Sequence, residues 1–281
     1  MFKKYTFVLL ALTACDTPVS EEVPAPDMVE DTSDETEQID ETDSSDTHAD
    51  SCVATDGGEG IRFDGSVVYS DGTIGDFNNT RVSMCCEDGC QTAEWGENGF
   101  CFSEGRLDEG VYSFKVMPLG MDNYATPLSF VTVEDQDIYL EDPVLVPEFS
   151  HMTDLQDGVF DAGNGLKIDV RTASFTDDRD YLAAVEVYPE TAGLPLDGID
   201  TDKVLGIWYL GAFDAEVDPK WTFELENSDL PVGTTVEILN GSYYDGEWLK
   251  TGTATVETDG VLRVDMDSGI SILSTLVLVE Q

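Results

Sequence analysis

The chain has 281 residues, of which 59 are Asp or Glu and 13 are Lys or Arg, so its formal net charge is −46. This balance excludes a nucleic-acid binder that neutralises phosphates with clustered Lys and Arg, and it argues against attachment to anionic lipid through basic residues. With 41 % hydrophobic and 10 % aromatic residues, the chain nevertheless has the composition of a folded protein of one or two domains.

The N-terminal segment has the order of an export signal. Two lysines precede residues 5–14, which are mostly apolar but, at about 1.5 Å per residue, too short to cross a hydrocarbon core of about 30 Å. The sequence Leu12-Thr13-Ala14-Cys15 resembles the lipobox of bacterial lipoproteins. This resemblance implies that 1–14 is a cleaved signal peptide and that Cys15 carries a covalently attached lipid whose acyl chains include palmitate. It also implies an anchored protein of the bacterial cell envelope, on its periplasmic or cell-surface side. The alternative is a short buried apolar segment that ends in cysteine.

Residues 15–55 predict a disordered acidic tether. Between residues 16 and 51 there are 14 acidic residues and no Lys or Arg. Such a segment cannot bury enough apolar surface to offset the entropy of ordering it. It is either a stalk that holds the folded part away from the membrane or a solubilising linker without a required length. His48, within it, is predicted to be an ordinary solvated residue.

Residues 56–147 predict the first of two β-sandwich domains. Short runs in which apolar and polar residues alternate are separated by Gly, Asp and Asn turns, a pattern typical of an antiparallel sandwich. The runs are 61–63, 67–69, 82–84, 100–102 and 112–116.

The order of motifs in this segment resembles that of the carboxypeptidase regulatory-like (transthyretin-like) domain family. The motifs are I-R-F-D-G-S-V (61–67), R-V-S-M (81–84), E-N-G-F-C-F (97–102) and E-G-V-Y-S-F (109–114). The resemblance implies a prealbumin-like sandwich that acts as a non-catalytic module, with Tyr112 packed at a sheet corner. The acidic loop 71–79 is longer than the family's usual turn.

Five cysteines lie in or beside this segment: Cys52, Cys85, Cys86, Cys90 and Cys101. Their spacing lacks the two C-x-x-C pairs of a structural zinc site, and export makes disulfides the expected state, so all five are disulfide candidates. One arrangement is a cross-strand bridge from Cys85 to Cys101, with Cys52 pairing Cys86 or Cys90. A redox function is the alternative.

Residues 155–281 predict the second sandwich, of Ig-like type. Alternation is clean in 166–170 and 221–225, whereas 204–210 and 276–279 are continuous apolar runs, typical of strands buried on both faces. The series L-P-V-G-T-T-V-E-I (230–238), G-E-W-L (246–249), G-T-A-T-V (252–256) and D-G (259–260) resembles a β-rich module of bacterial surface proteins. That resemblance implies no catalytic role. His151 lies in the short connection between the two segments.

No catalytic or metal centre is predicted. The chain has two histidines and no G-x-S-x-G, H-E-x-x-H or P-loop sequence, which argues against Ser–His–Asp catalysis and multi-histidine metal sites. A glycosidase needs only two carboxylates, and 59 acids supply pairs everywhere, so that pattern is uninformative. We therefore expect no enzyme and no cofactor. Calcium is the one candidate cation, at the acidic runs 177–180, 197–202 and 265–267, which solvated loops explain as well.

These observations predict a non-catalytic, membrane-anchored envelope lipoprotein with a structural, adhesive or partner-binding role. Its expected partners are the membrane, through the lipid, and an unidentified envelope protein or glycan. The alternative is a carbohydrate- or calcium-binding surface module, because Tyr243, Tyr244 and Trp248 lie in one predicted hairpin. Core packing accounts for the same three aromatics.

Overall fold

The first half of the folded chain is built from ten short strands. The computed structural model describes residues 61–86, 89–226 and 228–281; the predicted signal peptide, Cys15, the tether and Cys52 lie outside them. The strands are β1 (Ile61–Gly65), β2 (Val67–Tyr69), β3 (Thr80–Cys86), β4 (Gly89–Thr92), β5 (Glu94–Trp95), β6 (Phe100–Leu107), β7 (Gly110–Pro118), β8 (Leu128–Val133), β9 (Ile138–Tyr139) and β10 (Val144–Val146).

Two four-stranded sheets face each other in this half. The front sheet has the order β5-β6-β1-β9 and the middle sheet the order β4-β3-β7-β8, while β2 pairs with β10. All pairings are antiparallel except β1–β9 and β2–β10. Alternate residues point into one core, where the rings of Phe63 and Phe114 meet edge to face at 5.4 Å. This packing is why the alternating sequence pattern forms strands here.

The second half of the chain forms a ten-stranded sheet and a small two-stranded one. Its strands are β11 (His151–Asp154), β12 (Gly158–Asp161), β13 (Leu166–Val170), β14 (Tyr181–Val187), β15 (Val204–Gly211), β16 (Ala215–Trp221), β17 (Phe223–Leu225), β18 (Thr235–Ser242), β19 (Glu247–Val256), β20 (Leu262–Val264), β21 (Ile270–Leu273) and β22 (Thr275–Glu280). The large sheet has the order β11-β14-β15-β22-β18-β19-β20-β17-β13-β12, and β16 pairs with β21. A single-turn helix, α1 (Pro189–Ala192), and two 3₁₀ turns (Thr172–Ser174 and Thr201–Lys203) connect strands.

The central strands of the large sheet are buried on both faces, which confirms the prediction for 204–210 and 276–279. Trp208 and Leu276 point into a core formed by the large sheet together with the two-stranded sheet. Their neighbours Tyr209 and Val277 point the other way, into the core that also contains the residues of the front and middle sheets. A strand between two cores needs apolar residues at every position, which explains the uninterrupted runs.

The middle sheet is hydrogen-bonded to the large sheet, and all described residues belong to one compact unit. The Thr275 hydroxyl accepts a hydrogen bond from the Leu128 N–H at 3.1 Å and donates one to the Leu128 carbonyl at 2.7 Å. The Ser129 hydroxyl donates to the Pro195 carbonyl. The predicted all-β class with antiparallel sheets is confirmed. Within the described ranges, no helix has the length and apolar character needed to cross a membrane.

Candidate functional site

A cleft of about 610 Å³ opens where the β3–β4 hairpin, the β6–β7 turn and the β18–β19 turn meet. We call it the tyrosine cleft, and its volume lies within the range of ligand-binding pockets. Its lining residues are Cys85, Cys86, Gly89, Gln91, Asp108, Glu109, Gly110, Val111, Tyr112, Tyr243, Tyr244, Asp245 and Gly246.

The β18–β19 turn places two tyrosines at the cleft. The Ser242 hydroxyl donates a hydrogen bond to the Asp245 carboxylate at 2.6 Å and accepts one from the Asp245 N–H, and the Gly246 N–H closes the turn on the Ser242 carbonyl at 3.0 Å. Gly246 has φ +70°, which favours glycine at this position. The turn thus holds Tyr243 and Tyr244 side by side, with ring centroids 6.0 Å apart.

Tyr243 is the central contact of the cleft floor. Its hydroxyl lies 3.0 Å from the sulfurs of both Cys85 and Cys90, and because disulfide sulfurs carry no hydrogen, the tyrosine is the donor. The Lys115 ammonium lies 3.6 Å from the centroid of the Tyr243 ring, in cation–π geometry. Tyr244, by contrast, is 76 % exposed and offers its ring to solvent.

A buried cation and a half-buried acid lie beneath the tyrosines. Lys115 is 8 % exposed, and burial lowers the pKa of its ammonium, although Asp214 opposes that shift. Burial raises the pKa of the Asp214 carboxyl, with Lys115 acting in the opposite direction. The pKa of Tyr243 is raised by burial first and by Asp214 second. Lys115 and Asp214 therefore attract each other electrostatically beneath Tyr243.

The rim of the cleft is acidic and partly apolar. Asp108, Glu109 and Asp245 are exposed, as is Val111 at 53 %. Tyr112 packs at the corner of β6 and β7, where its hydroxyl donates to the Asp108 carbonyl at 3.0 Å and accepts from the Asp108 N–H at 3.1 Å. The corner position follows the expectation from the family resemblance. The rim therefore combines an aromatic face with carboxylate acceptors, which suits a ligand that has both apolar and hydroxyl-bearing or cationic groups.

The cysteine pairing differs from the arrangement considered from the sequence. Cys85 is bonded to Cys90, with a Cα–Cα distance of 4.0 Å, and not to Cys101. The reason is that β3 and β4 form a tight hairpin in which these two residues are directly opposite, whereas Cys101 lies in the front sheet opposite Asp64. Cys101 is also disulfide-bonded and is fully buried, and Cys86 is a free thiol at the edge of the core.

Of the three aromatic residues predicted to share one hairpin, Tyr243 and Tyr244 line the tyrosine cleft but Trp248 does not. Trp248 packs edge to face on Phe130 at 5.0 Å and joins the core instead of the cleft. Lys115, which sequence reasoning missed, occupies the outward position of an alternating strand, where exposure was the natural expectation. It is buried beside Phe213 and Tyr243, which belong to the second half of the chain.

In each of the three acidic runs considered for calcium, one carboxylate accepts hydrogen bonds from protein groups; in 197–202 it is Asp197, which accepts from the Thr132 N–H at 2.7 Å. Both carboxylate oxygens of Asp177 accept bonds from the Arg179 guanidinium, at 2.7 and 2.5 Å. Asp265 accepts bonds from the hydroxyls of Thr253 and Thr255. Among residues 61–86, 89–226 and 228–281, no group of three or more His, Cys, Asp or Glu side chains is arranged to hold a metal ion.

No protein-family model, curated protein or solved structure matches this chain. The likenesses to the lipobox, to the carboxypeptidase regulatory-like family and to the surface-protein module therefore stay predictions.

Proposed function

We propose that this protein is a membrane-anchored lipoprotein of the bacterial cell envelope whose role is to bind a partner, without catalysis. The observation that carries the proposal is the Cys85–Cys90 disulfide in the floor of the tyrosine cleft. Disulfides persist in oxidising compartments outside the cytosol, which agrees with an exported chain that begins with a lipobox-like segment. The same bond fixes the floor of a binding surface.

Carbohydrate is the ligand class that the cleft suits best. The ring of Tyr244 is open to solvent beside three carboxylates, so a sugar could stack its apolar face on the ring and donate its hydroxyls to the acids. An envelope protein is the other expected partner. Calcium binding is less favoured, because Asp177 and Asp265 already accept hydrogen bonds within the protein.

The anchor is tested by labelling cells that express the full chain with radioactive palmitate. We expect the wild type to be labelled and the Cys15→Ala variant to be unlabelled and released from the membrane fraction. An unlabelled wild type would remove the localisation part of the proposal.

The cleft is tested with a glycan panel and a titration with Ca²⁺, both followed by calorimetry. We expect heat from at least one glycan, and we expect Tyr244→Ala to abolish it. Tyr188→Ala is the matched control, since Tyr188 is also exposed, at 53 %, but lies outside the cleft. Equal binding by both variants would show that the cleft is not the glycan site.

A further inference from the structure

The two edges of the large sheet belong to consecutive strands. β11 and β12 are at opposite ends of the ten-stranded order, yet only residues 155–157 separate them. The four residue steps from Asp154 to Gly158 reach at most about 14 Å. The sheet must therefore curl until its two edges face each other.

The facing edges do not pair, and a cleft of about 600 Å³ lies between them. In the described part of the chain, β11 pairs with β14 and β12 pairs with β13, with no ladder between β11 and β12. The 155–157 loop closes one end of the cleft. At the other end, the His151 ring lies against Gly163 in the β12–β13 turn. The two are so close that a Cβ added at Gly163 would lie 2.9 Å from the His151 Nε2. We call this opening the edge gap.

Backbone groups of both strands point into the edge gap. The Leu155 N–H donates to the Asp180 carbonyl at 2.7 Å, so by strand alternation the N–H groups of Met152 and Asp154 point away from β14. In the same way, the Ala162 N–H donates to the Leu166 carbonyl at 2.9 Å, so those of Val159 and Asp161 point away from β13. Each edge thus presents free donors and acceptors at the spacing of a strand.

Exposed apolar side chains flank the same opening. Met152 on β11 is 52 % exposed, and Val159 on β12 is 71 % exposed. Each of these two strands ends in an aspartate. Phe160 points inward to the core. Asp154 and Asp161 are exposed at the ends of the two strands. The edge gap therefore has apolar side chains at its centre and carboxylates at its ends, which is complementary to a segment with apolar residues between basic ones.

We propose that the edge gap is a strand-insertion site that takes an extended, basic segment of a partner protein. The occupant would be about four or five residues long, matching β11 and β12, and would complete the curled sheet through main-chain hydrogen bonds on both sides. Its apolar side chains would pack on Met152 and Val159, and flanking Lys or Arg residues would face Asp154 and Asp161.

The charge of the chain favours a basic segment of a partner over two other occupants, the chain's own residues 16–51 and a second copy of the chain. Residues 16–51 of the same chain carry 14 acidic residues and no Lys or Arg, and a second copy would bring another net charge of −46, so both are repelled. The site lies on residues that the tyrosine cleft does not share, so it stands or fails independently of glycan binding and of the lipid anchor.

The first test uses a fluorescent K-V-T-V-T-V-K peptide and the folded wild-type protein, followed by fluorescence anisotropy. We expect saturable binding that weakens about tenfold or more when alternate peptide nitrogens are methylated, because that removes main-chain donors without changing side chains or charge. An E-V-T-V-T-V-E peptide should not bind. Equal binding of the methylated peptide, or no binding of the basic one, would overturn the proposal.

Protein variants then place the peptide at the gap. Val159→Pro removes a donor that points away from β13 and leaves the β12–β13 ladder intact, so we expect peptide affinity to fall about tenfold with little change in folding. Val159→Ala is the matched control, which loses apolar area but keeps the N–H. A proline variant that is folded and binds as well as the alanine variant would overturn the proposal.

Hydrogen exchange tests the gap without any variant. In the free full-length chain, the amides of Met152, Asp154, Val159 and Asp161 should exchange fast, and the peptide should slow them. Slow exchange of these amides in the free protein would mean that the gap is already filled, and unchanged exchange in the peptide-bound state would mean that the peptide sits elsewhere. Either result contradicts strand insertion.

Discussion

Replacing Thr275 with valine tests whether the middle sheet and the large sheet form one cooperative structure. Thr275 and Leu128 are both fully buried, and the threonine hydroxyl is bonded to the N–H and to the carbonyl of Leu128. Valine has nearly the same shape, so Thr275→Val removes these two bonds without opening a cavity. Each orphaned buried group costs about 1–3 kcal/mol, and the added methyl recovers part of this, so we expect a loss of about 2–4 kcal/mol in the free energy of unfolding.

Urea unfolding, followed by tryptophan fluorescence and by circular dichroism, measures this loss. Thr222→Val is the control, because Thr222 is exposed and its hydroxyl makes no hydrogen bond to the described residues, so its unfolding free energy should change by less than about 0.5 kcal/mol. We expect coincident single transitions from both probes. If Thr275→Val cost no more than the control, or if the two halves unfolded separately, the Leu128–Thr275 contact would not join the two halves into one cooperative unit.

Three further outcomes are expected. The Arg179 guanidinium lowers the pKa of Asp177 to about 2. The ionised Asp177 therefore stabilises the folded state above about pH 4, and this stabilisation is lost as the pH falls toward 2. Because Arg179 is 38 % exposed, we expect Asp177→Asn to cost only about 1 kcal/mol at pH 6 and nothing near pH 2, measured by urea unfolding at both pH values; an equal cost at both would contradict the linkage. Replacing both Cys85 and Cys90 with alanine should lower the unfolding free energy by about 2 kcal/mol under oxidising conditions, and the difference should vanish in reductant. Gly252→Ala should destabilise the fold by more than about 2 kcal/mol in thermal melts, because Gly252 has φ +144° and an added Cβ would lie 2.6 Å from the backbone of the turn before β21. A melting temperature like that of the wild type would show that this turn can move.

The strand content of the folded part could be predicted from local pattern. The alternation in 166–170 matches a strand in which Leu166, Ile168 and Val170 are all buried, and Trp221, Phe223 and Leu225 are buried as their spacing indicates. This works because successive side chains of a strand point to opposite faces, so burial on one face appears in the sequence as a period of two.

The candidate binding surfaces depend on contacts between residues distant in the chain. The tyrosine cleft requires Tyr243 to meet Cys85 and Lys115, which are more than a hundred residues away in sequence. No local pattern predicts which sheets pack together. For that reason the burial of Lys115 was missed and Trp248 was grouped with the wrong neighbours.

By itself, the sequence determined the all-β class, the acidic character of residues 52–281 (45 Asp or Glu against 11 Lys or Arg) and the strands buried on both faces. Each of these depends on composition or on local periodicity. The tertiary structure alone decided that Cys85 pairs with Cys90, and that β11 and β12 face each other across an open gap. Strand order and sheet curvature set these features. They arise from pairings spread over the whole chain, which the period of any one segment does not encode.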